Sequence, residues 1–388
     1  MTSRLVIIGG GPAGLAAAQA YRERGGQGEV VMLTADHALP YNRPPLSKDF
    51  LQGTTDDSDL ALEEAAFFEE RDIEVRLNTL VAELDPAAHQ VRLADGDVLT
   101  YTMCILATGS SALRIPVDNA HLPGIYTLRS LSDARRLTEV ASTASRATVI
   151  GSGFIGCEVA ASLSLLGVKV ILVTQENLPQ QQRLGDFVGQ KISGWLRGYG
   201  VELVLDSALA AVGHDATTVH LDDREIEADF LVMAAGASPN VELGEKAGLA
   251  MEGGRIATDD RMRTSAPDVY AVGDIVHAHN GAAGRSLTVE HWGEAMAMGE
   301  TAGANAAGEP ATWSQAPGFW STIGDRTLKY VAWGDGFSET DVREHPGGGF
   351  TVWYSQDQVV VGVLTYNADD DYERGRELIE RGAPVTAI

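Results

Sequence analysis

The sequence predicts an α/β protein with two Rossmann-like βαβ units and a C-terminal α+β domain. Two observations predict the first part: the pattern strand, glycine turn, helix, strand occurs near residue 4 and again near residue 148. A third predicts the second part, because the last 80 or so residues read as apolar-polar strands closed by one helix. A chain of 388 residues has room for two to four domains, each with its own core.

Arg4 to Ile8 is a short apolar strand, followed by Gly9-Gly10-Gly11-Pro12-Ala13-Gly14 and an Ala-rich helix to Arg24. Val30 to Leu33 is the second strand of this unit. Gly9, Gly11 and Gly14 are then the glycines of a GxGxxG turn, which permit the tight bend, the approach of a pyrophosphate and the packing of helix on strand. The free N-H groups of the helix N-terminus supply an anion site. The second copy runs Thr148 to Ile150, Gly151-Ser152-Gly153-Phe154-Ile155-Gly156, a helix through Leu166 and a strand from Val168 to Val173. One such turn can be no more than a glycine-rich loop; two in full context predict two dinucleotide sites.

The acidic residue expected after each second strand, where a ribose is bound, is displaced in both copies. Asp36 is the only carboxylate in reach after the first, and Glu176 follows Thr174-Gln175 after the second. No Arg or Lys lies in 174–179 to receive a 2'-phosphate, which favours NADH over NADPH.

Ile105-Leu106-Ala107-Thr108-Gly109-Ser110 and Val232-Met233-Ala234-Ala235-Gly236-Ala237 both read as a buried strand entering a turn of small residues, as at crossovers between domains. Asp268 to Asp274 is an apolar strand closed by Gly273-Asp274. A carboxylate there can accept hydrogen bonds from a polyol such as the ribityl chain of FAD, or can simply close an Asx turn.

Composition excludes several classes. A formal charge of -25 opposes a nucleic-acid partner. Two cysteines, Cys104 and Cys157, leave no dithiol, disulfide framework or zinc site and suit a reducing cytoplasm. No run of about 18 apolar residues spans a membrane, and Arg4 with the glycine turn interrupts any secretory signal, so a cytoplasmic protein is expected.

The order GGGPAG, YNRPPLSKDFLQG, ILATGS, VIGSGFIGCE, AAGASPN, VYAVGD and VEHW, with its C-terminal tail, resembles the FAD-dependent ferredoxin and rubredoxin reductases of the glutathione-reductase superfamily. RPPLSK and VEHW separate this branch from the disulfide reductases. The resemblance implies a FAD domain over 1–112 and 243–308, an NAD domain over 113–242 and a C-terminal domain over 309–388.

It also implies that Arg43, Lys48, Val81, Ala107, Thr108, Gly109 and Gly236 lie along the cofactors. Lys48 would stand near the flavin N5 with Glu158 as its partner, because a cation there favours reduced flavin and a buried lysine needs a counter-charge. Glu290-His291-Trp292 would open a helix aimed at the flavin pyrimidine edge. Trp320 would reach the flavin's dimethylbenzene end. Plainer readings stand beside these: a solvated lysine, a dipole-stabilised acid early in a helix, and His291 and Trp320 as packing residues.

Two departures from the family pattern are visible: Ser321 to Arg326 replaces a usual acidic and glutamine-containing continuation, and Ala35 occupies a usual acidic position. Arg43, Arg129 and Arg326 are the basic candidates for partner docking. The expected function is an NADH-dependent flavoprotein reductase serving a ferredoxin-type iron-sulfur protein, as a monomer or homodimer and without metal. An NADH oxidase or quinone reductase, and a flavoprotein like apoptosis-inducing factor, are the alternatives.

Overall fold

The computed structural model describes residues 3–388. Two five-stranded parallel sheets organise the chain. The first has the order Val269–Ala271, Met103–Leu106, Arg4–Ile8, Glu29–Leu33, Ile73–Arg76. The second runs Ile125–Tyr126, Phe230–Met233, Arg146–Ile150, Lys169–Val173, Glu202–Val204, the same arrangement about its glycine strand. In each, strand residues such as Val6, Ile7 and Val149, Leu172 are fully buried, as parallel strands covered on both faces require.

The two crossover segments pair with each other. Ser110–Ala112 runs antiparallel to Ala237–Pro239, with Ser111 opposite Ser238, so both connections between the parallel sheets pass through one two-stranded ribbon. Each parallel sheet also carries a three-stranded antiparallel meander, 81–100 and 209–227, that the glycine motifs do not announce.

The C-terminal sheet is antiparallel, in the order Gly318–Ile323, Arg326–Ala332, Val359–Tyr366, Phe350–Gln356, Glu339–Glu344, with helix Asp369–Glu380 following. The apolar-polar pattern marks three of these strands, at 328–333, 350–354 and 359–364, and the helix at 371–381; it does not mark Gly318–Ile323 or Glu339–Glu344. Phe350, Val352, Tyr354 and Leu364 share one apolar cluster with Val149 and Leu163 near the second glycine turn and with Leu46, Phe50 and Leu51. That cluster fixes the segment bearing Lys48. Pro44 and Pro45 open a 3-10 turn over Pro44–Ser47, where the missing N-H groups cost nothing. Each buried apolar side chain of Leu46, Phe50 and Leu51 then contributes about 1.5–3 kcal/mol to holding it. Among the described residues no helix is long and apolar enough to cross a membrane.

Candidate active site

A single cavity of about 1580 Å³ joins the two glycine turns and reaches the C-terminal sheet. This exceeds the roughly 300–1,000 Å³ of an ordinary small-molecule pocket. Its wall includes Gly9, Gly11, Pro12 and Ala13 on one side and Gly153, Phe154 and Ile155 on the other.

The glycines divide into two kinds. A Cβ on Gly9 would lie 2.0 Å from Ala107 O and one on Gly14 2.1 Å from Gly9 O, while Gly151 and Gly156 are closed in the same way by Ala234 O and Gly151 O. These four are required by the backbone itself. At Gly11 and Gly153 nothing beyond the adjoining residues stands within 4 Å of an added Cβ, and both line the cavity, so the space left by the missing side chain belongs to it. The helices that start there, Pro12–Glu23 and Phe154–Leu165, have neither a side-chain cap nor an acid in the first turn. Two uncapped positive helix ends beside open glycines fit the pyrophosphates of two dinucleotides, the chemistry expected of FAD and a nicotinamide coenzyme.

Lys48 and Glu158 meet at the wall. Lys48 Nζ lies 2.8 Å from Glu158 Oε2, with side-chain exposures of 14% and 4%. Ser47 Oγ donates to the same oxygen at 2.5 Å, and Ser321 Oγ at 2.7 Å and Thr322 N at 3.1 Å donate to Oε1. Four donors from two other parts of the chain therefore satisfy one buried carboxylate. Glu158 is the fifth residue of its helix, beyond the first turn, so the helix end alone does not account for its charge.

Asp274 ends its strand on the wall. Its Oδ2 accepts from Arg129 Nη2 at 2.6 Å and from Ser110 Oγ at 2.5 Å, and Arg255 bonds its carbonyl. Asp36 also lines the cavity and accepts from Tyr41 Oη at 2.9 Å. Burial pushes the Tyr41 hydroxyl up, which keeps it a donor to that carboxylate. Arg43 stands over the Tyr41 ring, and burial with neighbouring Arg129 lowers the pKa of its guanidinium.

Helix Trp292–Ala306 begins at the wall with His291 as its N-cap. His291 packs on Phe319, ring centroids 4.5 Å apart, and its Nδ1 has no hydrogen-bond partner among the described residues. Burial, reinforced by Arg183, lowers its pKa to about 4, so the ring is neutral near pH 7. Glu290 is paired with Arg255. Trp320 is 50% exposed at the cavity edge, which sets aside the reading of it as core.

Val81, Ala107, Thr108, Gly109, Gly236, Gly273 and Trp292 complete the sequence-derived residues that line the cavity. Gly14, Gly151 and Gly156 lie behind it as packing glycines. Glu176 is off the wall as well. Its carboxylate accepts from Gln180 N at 3.1 Å, Gln182 N at 2.9 Å and Ser152 Oγ at 3.2 Å, so it is engaged by its own loop and by the glycine turn. Of the docking candidates, Arg43 and Arg129 line the cavity, and Arg129 is paired with Asp274 while its side chain stays 35% exposed. Cys104 and Cys157 are wholly buried and free, and burial pushes both thiols up.

Sequence reasoning missed Ser47, Ser110, Ser321 and Thr322, all small hydroxyl residues whose partners lie far away in the chain. Only the strand-end and turn positions of Ser47 and Ser110 offered a signal.

The pyridine nucleotide-disulphide oxidoreductase model matches residues 3–299. The chain belongs to that family. A reductase C-terminal model matches residues 318–388. Among relatives of this pyridine nucleotide-disulphide oxidoreductase, the ferredoxin–NAD(+) reductase component of the anthranilate 1,2-dioxygenase system of Burkholderia cepacia is 33% identical, over 97% of this chain and 94% of that protein. The ferredoxin reductase subunit of a 5,5'-dehydrodivanillate O-demethylase from Sphingobium sp. is 34% identical, over 98% and 94%. The structure of putidaredoxin reductase in its covalent complex with putidaredoxin superposes with a TM-score of 0.93 at 28% identity, covering 98% of this chain and 94% of that one.

Proposed function

We propose that the chain is an NADH-dependent FAD reductase that hands electrons to a small iron-sulfur protein of the ferredoxin type, in support of an oxygenase or P450. The observation that carries this reading is the cavity joining two uncapped glycine-turn helices, with the Lys48–Glu158 pair on its wall. The relatives named above carry ferredoxin-reductase functions over nearly the full length of this chain.

On this reading residues 1–112 and 243–308 hold FAD, 113–242 hold NADH, and 309–388 complete the site. FAD held there would supply the redox chemistry that links a two-electron hydride donor to a one-electron acceptor. Gly11 and the N-terminus of Pro12–Glu23 receive one pyrophosphate; Gly153 and the N-terminus of Phe154–Leu165 receive the other. Asp274, held by Arg129 and Ser110, fixes a polyol, and Asp36 fixes a ribose.

Lys48 Nζ is held at the wall by Glu158, which four hydrogen bonds keep in place. The N-H groups that open helix Trp292–Ala306 favour negative charge at the same wall, and neutral His291 adds no competing proton there. Trp320, half exposed, offers the edge nearest to solvent for an external acceptor. Buried thiols and the lack of a cysteine pair favour a one-electron protein acceptor over a disulfide, and they suit a cytoplasmic location.

Anaerobic reduction of the holoprotein by NADH, followed by ferredoxin-dependent cytochrome c reduction, tests the reading. Turnover with ferredoxin supports it. Fast turnover with oxygen or a quinone but none with ferredoxin refutes it.

A further inference from the structure

The loop between strand Lys169–Val173 and helix Gln181–Gly198 holds a polar side chain that nothing among the described residues satisfies. Gln180 is 5% exposed and lines the cavity, and its Nε2 has no hydrogen-bond partner among the described residues. Burying an amide donor without a partner costs about 1–3 kcal/mol. The backbone is unusual as well: Gln180 has φ of 63°, the left-handed region, which is costly for a residue with a side chain.

What holds this conformation is Glu176. Its Oε2 accepts from Gln180 N at 3.1 Å and from Ser152 Oγ at 3.2 Å, while Oε1 accepts from Gln182 N at 2.9 Å. Ser152 stands between Gly151 and Gly153, and its Oγ also lies 2.8 Å from the Thr174 hydroxyl. One carboxylate thus ties Gln180 to the glycine turn, the element built for a pyrophosphate. An acid aimed at a ribose is what the motif usually provides after this strand. Here Thr174 and Glu176 both turn to the loop, and the carboxamide is the polar group left over.

We propose that Gln180 is a coenzyme-recognition residue, whose carboxamide donates to an oxygen of the ribose–pyrophosphate portion of NADH, with Glu176 as the positioning residue that holds it. Rotation about the last side-chain torsion, which is broad and roughly two-fold for glutamine, turns the donor toward the cavity. A bound ribose hydroxyl or phosphate oxygen then satisfies it. The inference rests on the reading of residues 113–242 as the NADH site.

Calorimetric titration of the oxidised holoprotein with NAD+ and with ADP-ribose, which lacks the nicotinamide, tests it. For Gln180→Leu, with wild-type FAD content and melting temperature, Kd should rise about tenfold for both ligands, equal to roughly 1.4 kcal/mol. Gln180→Met, unbranched like glutamine, repeats the measurement if leucine does not fold, and the same loss is expected. Unchanged Kd values in a folded variant overturn the proposal, as does a loss confined to NAD+. If the wild-type holoprotein binds neither ligand, the NADH-site reading itself fails, a result distinct from failure of the Gln180 variant.

Discussion

Ser321 Oγ lies 2.7 Å from Glu158 Oε1, on the carboxylate whose other oxygen receives Lys48 Nζ at 2.8 Å. A strand of the C-terminal sheet therefore helps to set the charge pair on the wall of a cavity shared by the two βαβ units. The segment that departs from the family pattern begins at this serine, and its first two residues supply two of the four donors to Glu158.

This relationship orders a mutant series. Lys48→Met should slow flavin reduction by NADH about tenfold or more and lower the flavin potential, since tenfold corresponds to roughly 1.4 kcal/mol. Glu158→Gln should do the same more weakly. Ser321→Ala should show the smallest change and Ser321→Thr should restore it, with FAD content constant throughout. Stopped-flow reduction and a redox titration give both quantities. Identical rates and potentials in Lys48→Met and the parent would make the pair purely structural.

Arg129→Ala should weaken retention of FAD without altering the salt dependence of electron transfer to a partner. Arg129 is spent on Asp274, which is nearly buried, and removing it leaves that carboxylate short of a donor. Because Arg129 is about one-third exposed, screening holds the loss to about 1–2 kcal/mol. FAD release on dilution measures it. A change in salt dependence with FAD retention intact would instead put Arg129 at the docking surface.

Much of the fold was legible because glycine turns are local. Gly14 and Gly156 face the carbonyls of Gly9 and Gly151 in their own turns, so spacing located both sites, whereas Gly9 and Gly151 are closed by Ala107 and Ala234 from neighbouring strands far along the chain. The meanders at 81–100 and 209–227 escaped notice because short alternating strands of mixed polarity carry little periodic signal. Lys48 and Glu158 were reached through a family pattern, whereas the hydroxyls that saturate Glu158 depend on tertiary packing that no spacing encodes. Glu176 misled for a local reason: its loop folds back, and backbone N-H groups claim the carboxylate that spacing had assigned to a ribose.

Stability should carry a signature of His291. Its pKa in the folded protein, about 4, lies below the ordinary 6.5, so the unfolded chain binds more protons between those values. This group's contribution is therefore full above about pH 6.5 and falls as pH drops toward 4, by at most about 3 kcal/mol. The melting temperature of the holoprotein should fall relative to that of His291→Phe, which keeps an aromatic ring beside Phe319, as pH falls from 7 to about 5. Parallel curves would show that His291 does not titrate differently in the folded state.

Replacing Cys104 and Cys157 together by alanine should leave acceptor reduction intact. Both are buried and unpaired, so the expected cost is packing, about 1 kcal/mol each. Lost acceptor reduction with normal flavin reduction would mean that electrons leave through sulfur.

The most direct measurement is sequential anaerobic stopped flow on the purified holoprotein: NADH first, then a panel of ferredoxins, with ferricyanide as the acceptor that needs no docking. The account predicts a yellow protein with one FAD per chain, rapid bleaching by NADH, and reoxidation by at least one ferredoxin at a rate that falls with ionic strength while ferricyanide turnover does not. A colourless protein that cannot be reconstituted with FAD, or a reduced flavin that oxygen or a quinone reoxidises while every ferredoxin leaves it untouched, would contradict it.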